Sequence, residues 1–170
     1  MRIRRRMIGL AAGASLAVGT LLAVTPAQAY ESGEASGSAD RQGVGQVLRT
    51  PPTPAVAPAG LGVMATAPQI SPAAERVRQV APGSSFTCSR GRLCAMVWNP
   101  VAKKWRIFDL YVCRTYSLSY WSGSGGYVNN QTPGTKASFY NQGDKVIHTS
   151  VAADAKSGYN WGPVWKIKNC

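Results

Sequence analysis

The chain has 170 residues and is strongly basic, with 19 lysines and arginines against 7 aspartates and glutamates and a net charge of +12 at pH 7. This balance favours anionic partners such as cell-wall polymers, membrane surfaces or acidic proteins. His148 is the only histidine, and the four cysteines lack the short paired spacing of zinc ligands, so the composition argues against a metal site.

Residues 1–29 have the three parts of a secretory signal peptide. A run of arginines precedes an apolar stretch from Met7 to Val24, and Ala27-Gln28-Ala29 supplies a small-residue cleavage pattern. The apolar stretch is also about long enough for a membrane anchor, but glycines dilute it and the cleavage pattern follows directly. We therefore predict a secreted, extracellular protein whose mature chain starts at Tyr30.

Residues 30–83 are rich in proline, glycine and alanine and contain neither cysteine nor tryptophan. Such a composition buries too little apolar surface to offset the entropy of ordering, which predicts a disordered segment. It is either a spacer or a pro-segment removed after secretion. Within it, residues 72–81 fit one short helix, with Ser71 as the cap and Pro72 in the first turn.

Residues 84–170 are predicted to form a small all-β domain, because short apolar runs alternate with Gly, Asn, Pro and Ser clusters at hairpin spacing. Two antiparallel sheets packed together as a sandwich would bury those runs. The predicted strands are 84–88, 92–98, 104–112, 127–130, 135–141, 145–149 and 164–169.

All four cysteines lie in this domain, and an extracellular location favours disulfides over free thiols. Four cysteines allow three pairings, of which the nearest-neighbour choice is Cys88–Cys94 and Cys113–Cys170. Gly91 would let the short loop between the first two cysteines turn tightly enough for them to bond.

No catalytic constellation stands out in residues 84–170. A catalytic triad needs a base between a nucleophile and an orienting acid, and the flanks of His148 are those of an ordinary strand residue. Glycosidase chemistry needs two carboxylates around the substrate, and the domain has three aspartates and no glutamate. We therefore expect a binding or inhibitory protein, with no enzyme activity, cofactor or metal.

The run Cys88-Ser-Arg-Gly-Arg-Leu-Cys94 resembles the opening of secreted actinomycete proteins of the metalloproteinase-inhibitor family with a βγ-crystallin-like fold. Phe108–Cys113 and Tyr116–Gly123 follow in the order of that family, and the resemblance covers residues 84–170 only. It implies a Greek-key sandwich in which the spacing of Tyr116, Trp121 and Gly123 marks a corner, with a ring over a glycine of positive φ. The calcium motif of that superfamily is incomplete here, because Asn129-Asn130 is followed by Gln-Thr-Pro.

The resemblance also implies inhibition of an extracellular protease by a rigid loop, which lowers the ordering cost of binding. One candidate is the disulfide loop, with Leu93 as the side chain for a hydrophobic pocket. The other is the loop 122–127 beside Tyr120 and Trp121. Plain turns are the alternative in both cases. The candidate contact residues are Ser89, Arg90, Gly91, Arg92, Leu93, Tyr120, Trp121 and Tyr127.

Charge supports a second functional hypothesis. The domain has 11 lysines and arginines against three aspartates, so it could instead be a basic cell-envelope-binding or antimicrobial module. A merely solvated surface would have the same composition. Nucleic acid is not expected as a partner at this location, and we expect a monomer. Among the tryptophans, Trp105, Trp161 and Trp165 are predicted to fill the core, while Trp121 and Tyr120 are predicted to be exposed.

Overall fold

A computed structural model describes residues 45–55 and 65–170, which form twelve β-strands and no helix. None of these residues belongs to a helix long and apolar enough to cross a lipid bilayer. The strands are β1 Gln46–Arg49, β2 Gln69–Ser71, β3 Arg76–Val80, β4 Ser85–Cys88, β5 Arg92–Asn99, β6 Lys104–Leu110, β7 Thr115–Ser119, β8 Ser124–Asn130, β9 Lys136–Tyr140, β10 Val146–Val151, β11 Asp154–Asn160 and β12 Lys166–Asn169.

The strands build two five-stranded antiparallel sheets and one short ribbon. Sheet A has the strand order β10-β9-β12-β7-β2, and sheet B has the order β11-β8-β5-β6-β3. The ribbon consists of β1 and β4, which pair only with each other. The predicted all-β, antiparallel fold is confirmed.

The main core lies between the two sheets. Alternate residues point to one face of a strand, so the strands that line this core contribute every second side chain to it. Tyr116, Phe139 and Ile167 of sheet A and Leu93 and Phe108 of sheet B are all fully or almost fully buried there. The fold is therefore β-sandwich-like.

A second core lies on the opposite face of sheet B, beneath the ribbon. The intervening residues of β5, Cys94 and Met96, are buried here with Trp105 of β6 and Phe86 of β4. Central strand β5 is thus buried on both faces. The disulfide Cys88–Cys94 links the ribbon to this strand, with 5.9 Å between the Cα atoms.

Both predicted disulfides are present, and no described cysteine is free. Cys113 follows β6 of sheet B and precedes β7 of sheet A, and it bonds to Cys170 after β12, with 5.0 Å between the Cα atoms. This second disulfide holds β12, which is the central strand of sheet A, beside the segment that connects β6 of sheet B to β7 of sheet A. Two disulfides are consistent with an oxidising, extracellular environment.

The ordered domain begins upstream of the predicted boundary at residue 84. β2 pairs with β7, and β3 pairs with β6, so both are edge strands of the two sheets. The Nε1 of Trp105 donates to the Pro51 carbonyl at 2.9 Å, which ties the segment after β1 to sheet B. The prediction of disorder is therefore wrong for the described part of segment 30–83. The predicted signal peptide and residues 30–44 and 56–64 lie outside the described residues.

The helix predicted over residues 72–81 is also wrong, because this segment contains strand β3. Its sequence Arg76-Val-Arg-Gln-Val80 alternates with a period of two, as a strand does. Arg76 and Arg78 lie on one face and both bind Asp109 of the neighbouring strand. Pairing with β6 therefore outweighs the helix-start pattern at Ser71 and Pro72.

Candidate functional site

The disulfide loop offers much less to a partner than its sequence predicts. Leu93, the residue expected to fill a partner's pocket, has 0 % of its surface exposed, because it belongs to β5 and lies in the core between the sheets. Gly91 has a φ of 80°, and its amide donates to the Asn130 carbonyl at 2.7 Å. The predicted role of Leu93 is wrong, although the tight turn at Gly91 is confirmed.

Arg92 of the same loop is occupied within the protein. Its Nε and one terminal nitrogen donate to the two carboxylate oxygens of Glu75 at 2.9 and 2.8 Å. Its guanidinium also lies 4.8 Å from the ring centre of Tyr111. The hydrogen bonds from Arg92 lower the pKa of Glu75. Ser89 is half-buried as well. Arg90 is therefore the one exposed residue of this loop, and it is charged.

The turn after β7 presents an aromatic side chain much more prominently. Tyr120 is 65 % exposed and has a φ of 62°. This left-handed region costs a residue with a side chain about 1–2 kcal/mol, so it persists only where its surroundings hold it. Tyr120 is therefore an outlier of the kind that is enriched at functional sites.

The next residue supplies the anchor of this turn. Trp121 was predicted to be exposed but is only 7 % exposed. Its Nε1 donates to the Gln69 carbonyl at 2.7 Å, and its ring centre lies 4.9 Å from those of Phe108 and Trp161. The prediction for Trp121 is wrong because the bond to Gln69 comes from a strand outside the predicted domain.

Gly123 completes the turn with a φ of 70°. The positive φ expected at this corner is therefore confirmed. Its carbonyl accepts a hydrogen bond from the Trp161 amide at 2.9 Å. Apart from Gly123 itself and its two chain neighbours, no atom of the described residues lies within 4 Å of the position that a Cβ at Gly123 would take, so backbone conformation and not crowding favours glycine here.

Tyr120 borders an open cleft of about 340 Å³. Trp165 borders the same cleft and is 46 % exposed, so its predicted place in the core is wrong, whereas Trp105 and Trp161 are buried as predicted. The backbone of Trp165 is fixed by hydrogen bonds to Tyr140 and Leu118 at 2.8 Å. The cleft is lined by Leu118, Ser119, Tyr120, Trp121, Gly162, Val164 and Trp165.

Comparisons of the chain with family models, with curated proteins and with solved structures find no match. The assignment of function therefore depends on the geometry of the chain itself.

Tyr127, the last predicted contact residue, is 3 % exposed and belongs to a buried polar cluster instead. Its hydroxyl donates to Oδ2 of Asp154 at 3.0 Å and lies 2.6 Å from Nε2 of His148. Burial, and then the hydrogen bond to Asp154, raise the pKa of Tyr127 well above its ordinary value. The hydroxyl therefore stays protonated and can bridge the two partners.

This cluster closes the gap between the edge strands β10 and β11. The His148 ring is stacked on Phe139, with 5.3 Å between ring centres and 16° between planes. The sequence offers three aspartates as possible partners of His148 but does not single out Asp154, which lies in a strand without alternating apolar residues. Within the ranges 45–55 and 65–170, no three His, Cys, Asp or Glu side chains are placed to share a metal ion.

Proposed function

We propose that this protein is a proteinase inhibitor that acts by binding, with Tyr120 as the side chain that enters the enzyme's specificity pocket. The observation that carries the proposal is an exposed aromatic residue at positive φ, placed directly before a buried tryptophan. The disulfide loop is the weaker candidate, since Leu93 is buried and Arg92 is bound to Glu75.

Rigidity of the turn supports the proposal energetically. Ordering a side chain at an interface costs about 0.5–1.5 kcal/mol, and a tyrosine with two side-chain torsions is at the low end of this cost. Burial of an aromatic side chain removes about 150–250 Å² from water. Trp121 already holds the backbone by its hydrogen bond and its two ring contacts. The cost of ordering the backbone is therefore met before the enzyme binds, which leaves only the Tyr120 side chain to be ordered.

The backbone at Tyr120 differs from that of an extended substrate, whose φ lies near −120°. A φ of 62° turns the chain away from an extended course. We therefore infer that the side chain enters the pocket while the backbone is not aligned for cleavage. The enzyme would then be blocked without a cut at Tyr120. A metalloproteinase is the first candidate, since the resemblance over residues 84–170 is to inhibitors of that class.

The test is a titration of the purified protein against thermolysin-like, subtilisin-like and trypsin-like enzymes. We expect stoichiometric inhibition of one class and at least a tenfold loss of affinity in Tyr120→Ala. Tyr111→Ala is the matched control, because Tyr111 is also largely exposed but lies beside the disulfide loop. Arg90→Ala tests the exposed charge of the disulfide loop. Inhibition lost in Tyr111→Ala and Arg90→Ala but kept in Tyr120→Ala would move the contact to that loop. No inhibition in any class would remove the proposal.

We also infer secretion and a βγ-crystallin-like Greek-key arrangement of the sandwich. The inference on the fold is supported by the positive φ of Gly123 in the Tyr116, Trp121 and Gly123 pattern. Secretion is supported by the two disulfides and by the signal-like pattern of residues 1–29. Intact mass of the exported protein would report removal of residues 1–29, and a mass that still includes them would contradict this inference.

A further inference from the structure

The outer face of sheet A is an ordered array of lysines and hydroxyl groups. In β12, Ile167 points into the core, so Lys166 and Lys168 point outward. The same alternation applies to β9, where Ala137 and Phe139 are buried. Strand pairing aligns the outward residues in two rows across the sheet, which are Tyr140–Lys166–Ser117–Ser71 and Thr149–Ser138–Lys168–Thr115.

Sheet geometry sets the spacing of this array. Neighbouring strands lie about 4.8 Å apart, and outward residues on one strand lie about 6.6–6.8 Å apart. Lys166 and Lys168 are therefore separated by that second distance along β12. Lys136 lies on β9, two positions before Ser138, the partner of Lys168. Lys166 and Lys168 thus lie one after the other along the central strand β12, and Lys136 lies beyond them on the adjacent strand β9. Hydroxyl groups lie on both sides of β12.

The charge on this face is largely unneutralised by the described residues. Lys136 and Lys168 form no ion pair there, and Lys166 binds Asp144 at 2.5 Å. Asp144 is itself exposed, so this pair is weak and open to competition. The other three acidic side chains in residues 45–55 and 65–170 are bound elsewhere, Glu75 and Asp109 by arginines and Asp154 by Tyr127.

We propose that this face, defined by the two rows and Lys136, binds a linear polyol phosphate chain of an extracellular envelope. Lysine acts on phosphate as a point charge, whereas arginine is favoured where planar, bidentate recognition is needed. The two rows contain no arginine. Serine and threonine hydroxyls can donate to phosphate oxygens and accept from polyol hydroxyls.

A repeating ligand fits the flat face better than a single anion does. Four of the best-formed clefts of the described residues are not lined by Lys136 or Lys168, so an isolated phosphate would have few contacts in them. A chain with a phosphate in every repeat engages several lysines at once, and the linked contacts reinforce one another. Single-stranded nucleic acid would also use aromatic platforms for its bases, and Tyr140 is the one aromatic residue in the two rows.

The test is binding of the mature protein to purified, unbranched poly(glycerol phosphate), measured by calorimetry over a salt series. We expect binding that weakens as salt rises. The variant Lys136→Gln/Lys166→Gln/Lys168→Gln should lose at least tenfold in affinity. The control variant Lys103→Gln/Lys104→Gln/Lys156→Gln removes the same charge from residues of β6, β11 and the turn before β6, and should lose less than threefold. Polygalacturonate, neutral dextran and single-stranded DNA are the comparison polymers.

Equal losses in the two triple variants would overturn the proposal, because net charge and not this face would then govern binding. Tighter binding of polygalacturonate or single-stranded DNA would overturn the choice of polyol phosphate. An absence of binding by the mature protein would also overturn the proposal. That result would arise, for example, if another segment of the chain covered the face. The proposal is independent of protease inhibition, since Tyr120→Ala should bind the polymer normally and the Lys136/Lys166/Lys168 variant should inhibit normally.

Discussion

The outer faces of the two sheets differ in how they use positive charge. On sheet B the ribbon covers β5 and β6, and Arg76 and Arg78 bind the buried Asp109 at 2.7 and 2.6 Å. On sheet A, Lys168 of the central strand is exposed, and Lys166 is half-buried beside the exposed Asp144. The same excess of basic residues thus serves structure on sheet B, while on sheet A it binds no buried carboxylate of the described residues.

The chemistry of the two side chains accounts for this division. A buried carboxylate is stable only when its lone pairs are satisfied, and the planar guanidinium supplies several donors in fixed directions. Asp109 receives one arginine on each oxygen. A lysine is strongly hydrated and remains favourable in water, as Lys168 does. Net charge alone therefore does not locate a binding surface, whereas the pairing of individual charges does.

The largest expected effect comes from removing the arginines of sheet B. Arg76→Met/Arg78→Met leaves Asp109 buried without a partner, which should lower the free energy of unfolding by about 3–5 kcal/mol. On sheet A, Lys166→Met/Lys168→Met should change it by less than about 1 kcal/mol, since the pair with Asp144 is exposed. Urea unfolding measures both.

A rescue variant distinguishes charge burial from lost packing. Adding Asp109→Leu to Arg76→Met/Arg78→Met removes the unpaired carboxylate, so most of the lost stability should return. If the variants of sheets A and B were equally destabilised, or if Asp109→Leu gave no rescue, the proposed division between the two faces would be wrong.

A smaller effect is expected where the edges of the two sheets meet. Tyr127→Phe leaves Asp154 and His148 without their shared hydroxyl, which should cost about 1–3 kcal/mol at neutral pH. Tyr140→Phe on the outer face of sheet A is the control, and it should change stability by less than about 0.5 kcal/mol.

The same substitution has a pH signature. Burial raises the pKa of Tyr127 above its ordinary value of 10, so the folded state keeps a proton that the unfolded chain loses. Its contribution is complete below pH 10 and declines as the pH rises above 10. Tyr127→Phe should therefore flatten the alkaline loss of stability, with a remainder from Tyr116 and Tyr159, whose pKa values burial also raises. An unchanged alkaline profile in Tyr127→Phe would contradict this assignment.

The sequence predicts the strands whose alternation is visible in apolar residues. The strands starting at Arg92, Lys104 and Lys136 lie within two residues of their predicted bounds. It misses β11, whose sequence Asp-Ala-Lys-Ser-Gly-Tyr-Asn has no apolar alternation because this edge strand is mostly exposed. It also misses β7, where two core residues alternate with serines and a threonine in a stretch too short to stand out.

Errors at the candidate site have one physical origin, which is contact over long sequence distance. Trp121 stands beside a glycine-rich turn and would be exposed if the domain began at residue 84. Its partner Gln69 lies 52 residues earlier, in a strand hidden by proline-rich surroundings. Leu93 belongs to the predicted strand 92–98 but was also proposed as a contact residue of the disulfide loop, and its strand is buried on both faces. Local pattern identifies Tyr120 and Gly123 as a turn, while burial around that turn depends on the whole sandwich.

The smallest expected change in stability concerns the strained turn after β7. Tyr120→Gly should raise the free energy of unfolding by about 1 kcal/mol, because glycine adopts a positive φ without steric cost. Lys103→Gly is the control on sheet B, since Lys103 has a φ of 51° in the turn between β5 and β6. Both variants should gain similar stability by urea unfolding, but inhibition should be lost only in Tyr120→Gly. If both variants gained stability and Tyr120→Gly still inhibited, neither the Tyr120 side chain nor its strained backbone would be needed for binding. The turns at Tyr120 and Lys103 would then be equivalent in having no role in inhibition.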